Sequence, residues 1–505
     1  MHAARWLTLF VSLTAQVLSQ TPALQSSAPA NPLPLPLSGR QSRAGSVATT
    51  QTTVNAGGAN SVNLIDSRVG VQGAYGGSVP GAPRIGTVLP LTLDYAIKLG
   101  LQYNLGTVGF EQSVRSAQGQ RAAVRSTLLP NVNGYLHETA QQTSLQALGV
   151  KFPGIPTVVG PFNYFDLRAT LTQSVFDLTR LRNLHAATEL VKSTALASKD
   201  ARDLVVLAVS GNYLQVIAAA ARVSSARAQL QTAQTIYKEA VDRNKAGLNA
   251  AIDALRSQVQ LQTQQQRLRS LVADFDRQKL NLARIIGLPL DQDFTIANEI
   301  PYQPLEGITV QSALDEAGRN RSDLLSALSQ VHAAEAARKA VSSARLPSLA
   351  LYADYGDIGI NPASSHGTFT VVGALNIPIF EGGRIRADEV QANAALAQRR
   401  AELEDLRGRV DYDVRTAFLD LQSAADQVGV AQSNVNLAQQ TLQQSRDRFA
   451  AGVADTVEVV QAQEAVTTAN NDYISAVYSH NLAKASLARA TGLAEQRVRQ
   501  YLQVK

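Results

Sequence analysis

Two long stretches of this chain carry no proline, from residue 162 to 288 and from 379 to the end, and apolar residues recur through both at helical spacing. Leu261, Leu268, Phe275 and Leu282 stand seven residues apart in the first. Val466, Tyr473, His480 and Leu487 do the same in the second, beside a row of small residues at Ala462, Ala469, Ala476, Ala483 and Ala490. A sustained heptad marks helices packed side by side, and small residues let them approach closely. Residues 178–246 and 382–451 each predict one helix, which at ~1.5 Å per residue would reach about 100 Å. Just upstream of each, the period changes to two. Phe165, Leu167, Ala169, Leu171 and Val175 fall on one face, and Asp166, Arg168, Thr170, Thr172 and Ser174 on the other. Phe369, Val371, Leu375, Ile377 and Ile379 share a face in the same way. That alternation predicts half-buried strands at about 163–175 and 368–379. Each is paired with a less regular strand, at about 131–142 and 348–356.

The two stretches are copies of one unit. NKAGLNAAIDALRSQ (244–258) and FAAGVADTVEVVQAQ (449–463) align with Gly247 on Gly452, 205 residues later. LTLDYAIKLGLQYN (91–104) aligns with ITVQSALDEAGRNR (308–321), and Pro130 with Pro347, at an offset of 217. The offset changes only across residues 136–165, so the first copy holds about a dozen extra residues in a surface loop. Each copy reads as helix (about 90–127; about 308–344), two strands, a very long helix, a glycine turn and a return helix. The hairpins occupy about 178–287 and 382–492, within repeats at 86–300 and 301–505. Gly247 and Gly452 sit where the outgoing helix must stop and reverse, since glycine tolerates positive φ.

Composition narrows the function. The net charge is +6, with both signs interspersed and no basic block, so a nucleic-acid partner is not expected. The chain has no cysteine, which excludes disulfides and cysteine-ligated metals. His2 and Arg5 followed by the apolar run Trp6–Val17 predict a signal peptide over 1–20. Residues 21–85, rich in Pro, Gly, Ser, Thr and Gln, are expected to be a disordered extension. The stretch LVVLAVSGNYLQVIAAAA (204–221) is interrupted by Asn212 and Gln215 and is not expected to span a membrane. Neither a phosphate loop nor a nucleophile elbow nor a pair of catalytic acids is present, and His137-Glu138 lacks a second histidine at metalloprotease spacing. An enzyme is therefore not expected, and no cofactor or metal is implied. His480 holds an apolar heptad place and reads as a packing residue.

Four short amphipathic strands cannot close a barrel, and an open edge cannot sit in lipid. Either the strands form a small soluble sheet, as in a secreted coiled-coil scaffold without a pore, or several chains pool them. Three chains would supply twelve strands, within the range of membrane barrels. The duplicated plan resembles the TolC family of bacterial outer-membrane channels. LLPNVNGY and RLPSLALY, SVFDLTR and PIFEGGRIRA, the two glycine turns, and LNLARIIGL with ASLARATGL carry the resemblance over about 90–495. It implies a mainly α protein with a small β part: a homotrimer whose twelve-stranded barrel meets outer-membrane lipid and whose α-helical tunnel lies in the periplasm. It further implies a periplasmic adaptor protein and an inner-membrane pump of the RND or ABC type, with the channel itself passive.

On that resemblance, Gly247, Leu248, Gly452 and Val453 would form the tips that dock the adaptor, although plain hairpin turns would use the same residues. Asp253 and Glu458, each six residues past its glycine, would ring the aperture. They read equally as solvated acids on a helix face. The family's second acid, three residues on, is replaced by Gln461. Its tyrosine–arginine latch is replaced by Phe449 and Ala454, leaving Arg448 as the candidate that holds the tip shut. Asp166, Arg168 and Thr170 would line the barrel.

Overall fold

The computed structural model describes residues 45–54, 64–82, 84, 86–147, 149, 153–247, 250–297 and 301–503. The first copy of the repeat contains helices α1 (Leu93–Tyr103) and α2 (Leu105–Ser126), strands β4 (Asn131–Ser144) and β5 (Val158–Phe176), and helices α3 (Leu178–Lys245) and α4 (Ala251–Ile286). The second contains α5 (Val310–Asn320), α6 (Ser322–Ser343), β7 (Ser348–Gly359), β8 (His366–Asn376), α7 (Arg384–Ala450) and α8 (Thr456–Ala490). Strands β1 (Ser46–Val54), β2 (Leu64–Gln72), β3 (Leu89–Leu91) and β6 (Phe294–Ile296) and a final helix α9 (Ala494–Leu502) lie outside this plan.

The leading helix of each copy, expected to be continuous, is broken in two. Asn104 and Arg321, 217 residues apart, are extended at that point. Each break is bought with buried polar chemistry. Asn104 Nδ2 donates to the carbonyls of Tyr75 (2.8 Å) and Ile285 (3.1 Å), while its Oδ1 accepts from Gly106 N (2.9 Å). Arg321 donates through Nε and Nη2 to Asp323 (3.0 and 2.6 Å) and through Nη1 to Asp413 (2.9 Å). These side chains bond inward to groups that no local helical pattern reveals.

The chain divides into two compact units. One, Ala122–Ala187 with Ala333–Leu396, holds an antiparallel sheet in the order β4-β5-β7-β8. The sheet stays open, with β4 and β8 as its edges, and the described residues form no closed barrel. Strand β5 starts at Val158, earlier than the pattern predicts, and its last residues are bulged against β7 between Ser174 and Phe176. Strand β8 stops at Asn376, short of the expected 379, because Pro378 has no N–H to continue a ladder. Register puts Leu167 beside Leu136 and Asp357, and Ala353 beside Leu171 and Val371. Apart from Asp357 and Glu138, which the register sets beside Leu167 and Phe165, the resulting face is apolar and bare: Val132 is 68%, Leu136 65%, Phe369 75% and Val371 63% exposed.

The other unit spans Arg40–Arg121, Thr188–His332 and Ala397–Lys505. Its core joins Leu91, Leu93 and Ile97 to Val205, Val209 and Tyr213 of α3, Leu282 and Ile286 of α4, and Leu482 and Ala485 of α8. Tyr213 donates its hydroxyl to the Leu91 carbonyl at 3.0 Å. The apolar stretch 204–221 is thus largely consumed by this core: Val205, Val206, Ala208, Val209 and Val216 are all 0% exposed. It is long and apolar enough to cross a membrane on composition, but mostly buried within the fold.

The expected disorder of 21–85 fails over part of its length. Strands β1 and β2 pair as an antiparallel hairpin from Ser46↔Gln72 to Val54↔Leu64. Val47, Val69 and Val71 pack against the core, and Tyr75 is buried. Gly211 makes the notch that admits the hairpin, since a Cβ there would meet Val69 Cγ2 at 2.3 Å. Alternating valines in a polar segment thus find a ready-made apolar surface, which offsets the ordering entropy that average composition predicts to prevail. The expected signal peptide, 1–20, lies outside the described residues, as do 21–44 and 55–63.

Candidate functional site: the hairpin tips and the polar sheet face

The turns at the two glycines are built alike. Gly247 and Gly452 adopt φ of 73° and 75°. Gly247 N bonds to Asn244 O at 3.0 Å, and Gly452 N to Phe449 O at 3.1 Å. At the second turn Val453 N also reaches Arg448 O at 3.0 Å, which completes a Schellman motif. Asp455 then caps α8, its Oδ1 accepting from Glu458 N at 3.1 Å. The first hairpin has Ala250 at that place, with no side-chain cap. Val453 is 66% exposed at the turn; Leu248 lies outside the described residues.

The structure joins two of the expected aperture residues. Arg448 Nε and Glu458 Oε1 are 3.1 Å apart across the second turn, both partly exposed. Asp253 instead faces Arg256 on its own helix at 3.9 Å. Gln461 is exposed. Phe449, at the family's latch position, is buried, packed with Ile236 and Val459.

A residue that sequence reasoning passed over ties the hairpins together. Arg243, in the last turn of α3, donates Nη1 to Phe449 O (2.8 Å) and Nη2 to Ala450 O (3.0 Å). Its guanidinium also stacks over the Phe449 ring, 4.7 Å from the centroid. The carbonyls of a last helical turn lack intrahelical donors and carry the negative end of the helix dipole, so a cation there satisfies both needs. The signal that could have found Arg243 is the repeat itself: Arg243 and Arg448 are also 205 residues apart. Further along, Glu464 of α8 accepts from Gln260 (2.6 Å) and Gln264 (2.9 Å) of α4 and lies 3.5 Å from Arg267. Gln463 Nε2 donates to Gln229 O at 3.1 Å. Polar bonds thus fasten helix faces that the heptad marks only as packed.

A buried polar group sits on α8 away from the tip. His480 is 1% exposed, with Tyr302 tilted against it at 4.8 Å between ring centroids. Lys484, one turn on, donates to Gln303 O at 2.5 Å. Burial, reinforced by the Lys484 charge, pushes the His480 imidazole down to about 4, and burial pushes the Lys484 amine down to about 8. His480 is a packing residue kept neutral, in line with its heptad place.

On the sheet, Asp166 and Arg168 are brought together, Nε to Oδ1 at 3.2 Å. The pattern did not indicate their other partners. Asp354 of β7 pairs with Arg168 Nη1, and Thr368 of β8 lies 3.5 Å from its Nη2. Thr170 stands opposite Asn133 and Asp354. Tyr135 and His137, opposite Arg168 and Asp166, stack with centroids 5.9 Å apart. One face of the sheet is therefore a fixed band of charge and hydrogen-bonding groups, and the reverse face is mainly apolar.

Comparison with known proteins agrees with this plan. A family model described as outer membrane efflux protein matches twice, over residues 109–288 and 313–493, so that it finds each copy of the repeat separately. The pyoverdine export outer membrane protein OpmQ of Pseudomonas aeruginosa is 25% identical over 434 residues, covering 84% of this chain and 88% of the relative. The outer membrane protein TolC of Escherichia coli is 23% identical over 340 residues, 64% of this chain and 68% of that one. The crystal structure of the Campylobacter jejuni CmeC outer membrane channel superposes with a TM-score of 0.70 at 15% identity, covering 90% of this chain and 98% of that chain.

Proposed function

The chain belongs to the outer membrane efflux protein family, and from that premise we propose that three copies assemble into a passive exit duct. It is a TolC-like outer-membrane protein, a channel of efflux or secretion systems. One observation carries the finer reading. The four-stranded sheet has a bare apolar face, a polar face with an Arg–Asp cluster, and two unpaired edges. Such edges cannot stand in lipid, and four strands cannot close on themselves. Three sheets joined edge to edge give twelve strands, with apolar faces toward lipid and Asp166, Arg168 and Thr170 toward water.

The paired hairpins form the wall of a water-filled periplasmic tunnel. Their tips, at Gly247 and Leu248 and at Gly452 and Val453, meet a periplasmic adaptor, and an inner-membrane pump of the RND or ABC type supplies the energy. Asp253 and Glu458, with Gln461 and Arg448 beside them, set the charge of the aperture. The chain itself carries out no reaction and uses no cofactor or metal. The scaffold reading leaves the exposed apolar face without a purpose. Size in detergent, heat-modifiable gel mobility and conductance across a planar bilayer test the proposal together. Trimers that pass ions are expected. Monomers that dissolve without detergent and carry no current would refute it.

A further inference from the structure

Where the sheet meets the helices, the chain writes one short pattern twice. VFDLTRLR (175–182) and IFEGGRIR (379–386) align at the offset of 204: an aliphatic residue, a phenylalanine, an acid, then two arginines. In both copies the apolar pair is bare. Val175 and Phe176 are each 55% exposed, and Ile379 and Phe380 95% and 87%. The acid and the first arginine neutralise each other. Arg180 Nε lies 3.0 Å from Asp177 Oδ2, and Arg384 pairs with Glu381 and, at 3.1 Å, with Asp388. Arg180 and Arg384 line one cavity of about 110 Å³, so the two patterns stand side by side.

The second arginine of each pattern has no carboxylate. Arg182 gives Nη1 to the Lys339 carbonyl at 2.8 Å, which sets its guanidinium against α6. Arg386 is exposed on α7; Arg125, Arg338 and Lys339 are exposed too, and none of these four makes an ion pair among the described residues. Of the other acids nearby, Glu389 is held by Arg345 at 2.5 Å, and Glu335, a turn before Arg338, is half-buried. Residues 122–130, 177–187, 333–347 and 377–396, which flank this end of the sheet, hold eight arginines and lysines against five acids. The loops at the opposite end, 145–157 and 360–365, hold one lysine, Lys151, and no arginine. The surplus of positive charge therefore lies at one border of the sheet only.

That border continues the mainly apolar face. On β8 the exposed side runs through Phe369, Val371 and Leu375, and Ile377 and Ile379 carry it past the last strand residue, Asn376. Arg386 follows, one helical turn from exposed Val390. A long basic side chain at such a step keeps its stem in the apolar layer and its charge in the headgroup layer. A guanidinium matches a phosphate with two parallel N–H bonds. Surplus cations favour a headgroup of net negative charge over one that carries its own ammonium.

We propose that the two patterns form a clamp for anionic phospholipid at the periplasmic surface of the outer membrane. Val175, Phe176, Ile379 and Phe380 enter the acyl layer. Arg182 and Arg386, assisted by Arg338 and Lys339, take the lipid phosphate. Arg180 and Arg384 are spent on their own acids and take no part. The inference rests on the lipid-facing assignment of the apolar sheet face made above.

The test uses purified full-length protein in non-ionic detergent, mixed with equal amounts of phosphatidylglycerol or phosphatidylcholine. Native mass spectrometry counts the lipids retained per trimer. The wild type should keep phosphatidylglycerol in preference, and high salt should narrow the preference. Each arginine near the surface is worth about fivefold in affinity, so Arg182→Gln with Arg386→Gln should weaken phosphatidylglycerol retention about 25-fold. Trimer content and phosphatidylcholine retention should not change. Arg182→Lys with Arg386→Lys, which keeps the charge, should retain most of the preference. Arg269→Gln, an exposed arginine of α4 away from the sheet, should have no effect. Equal retention of both lipids by the wild type, or undiminished phosphatidylglycerol retention by the double glutamine variant, overturns the clamp and leaves the duct intact. A double variant that falls to monomers would assign the arginines to a contact between copies and overturn the clamp as well. Wild-type protein that is monomeric and keeps neither lipid would remove the membrane assignment of the sheet itself.

Discussion

Replacing Arg243 by glutamine removes the arginine contact that ties the first hairpin to the end of α7. The change takes away two guanidinium–carbonyl bonds, of 2.8 and 3.0 Å, and a cation–ring contact at 4.7 Å. Hydrogen bonds to a charged donor are worth ~1.5 kcal/mol each at the lower end, and the ring contact ~0.5 kcal/mol. Arg243 is only half-buried, so about 2 kcal/mol is the net expectation after solvent screening. This corresponds to a roughly 30-fold increase in local opening of the last turn of α7. Amide hydrogen exchange measured by mass spectrometry on peptides covering 446–453 reads it directly. The amides of Ala451, Gly452 and Val453, bonded to Asp447 O, Phe449 O and Arg448 O, should exchange about 30-fold faster. The middle of α7 should be unchanged. Unaltered exchange at those three amides, or a uniform rise along the whole helix, would refute the reasoning, the first by showing the contact to be idle and the second by showing a global effect.

Three further outcomes are expected. Because the folded pKa of His480 lies at about 4, below the ordinary 6.5, the folded state binds fewer protons between those values and loses up to about 3 kcal/mol as pH falls through that window. Asp203, raised to about 6 by burial, acts in the opposite sense, since its folded form gains protons first and its penalty is relieved on acidification. The diagnostic is therefore a comparison. His480→Leu should shrink the fall in melting temperature between pH 7 and pH 4.5, and an identical fall in variant and wild type would count against a buried neutral histidine. Val371→Arg, on the exposed apolar face, should block membrane assembly at a cost of ~2–4 kcal/mol per copy near the bilayer centre, while Thr370→Ser on the reverse face is tolerated; normal trimer yield from Val371→Arg would contradict the facing. Glu458→Ala should weaken block of the channel by divalent cations in single-channel recordings, and unaltered block would take Glu458 out of the aperture.

The duplication was legible without coordinates because an offset of 205 residues survives side-chain change. It gave the hairpins, the glycine turns, and strand faces such as Leu167 and Val371 against Asp166 and Arg168. Period and spacing are properties of consecutive residues, and local sterics enforce them. The breaks at Asn104 and Arg321 were not legible, since they depend on carbonyls and carboxylates up to 181 residues away. Neither was the pairing of strands 46–54 and 64–72, whose Val69 packs into the notch that Gly211 leaves. The polar cluster around Arg168 needed the register of β5 on β7 to add Asp354.

The chain's own order of residues thus determined the architecture: which segments are rods, which are ribbons, which face of each ribbon is apolar, and that the unit occurs twice. Tertiary structure alone decided which arginine holds which carbonyl. Arg243 and Arg448 occupy the same place in the repeat, yet one closes on the neighbouring hairpin and the other turns to Glu458. Pattern is fixed by neighbours a few residues apart, whereas a hydrogen bond forms only where the fold brings a donor to about 3 Å from an acceptor.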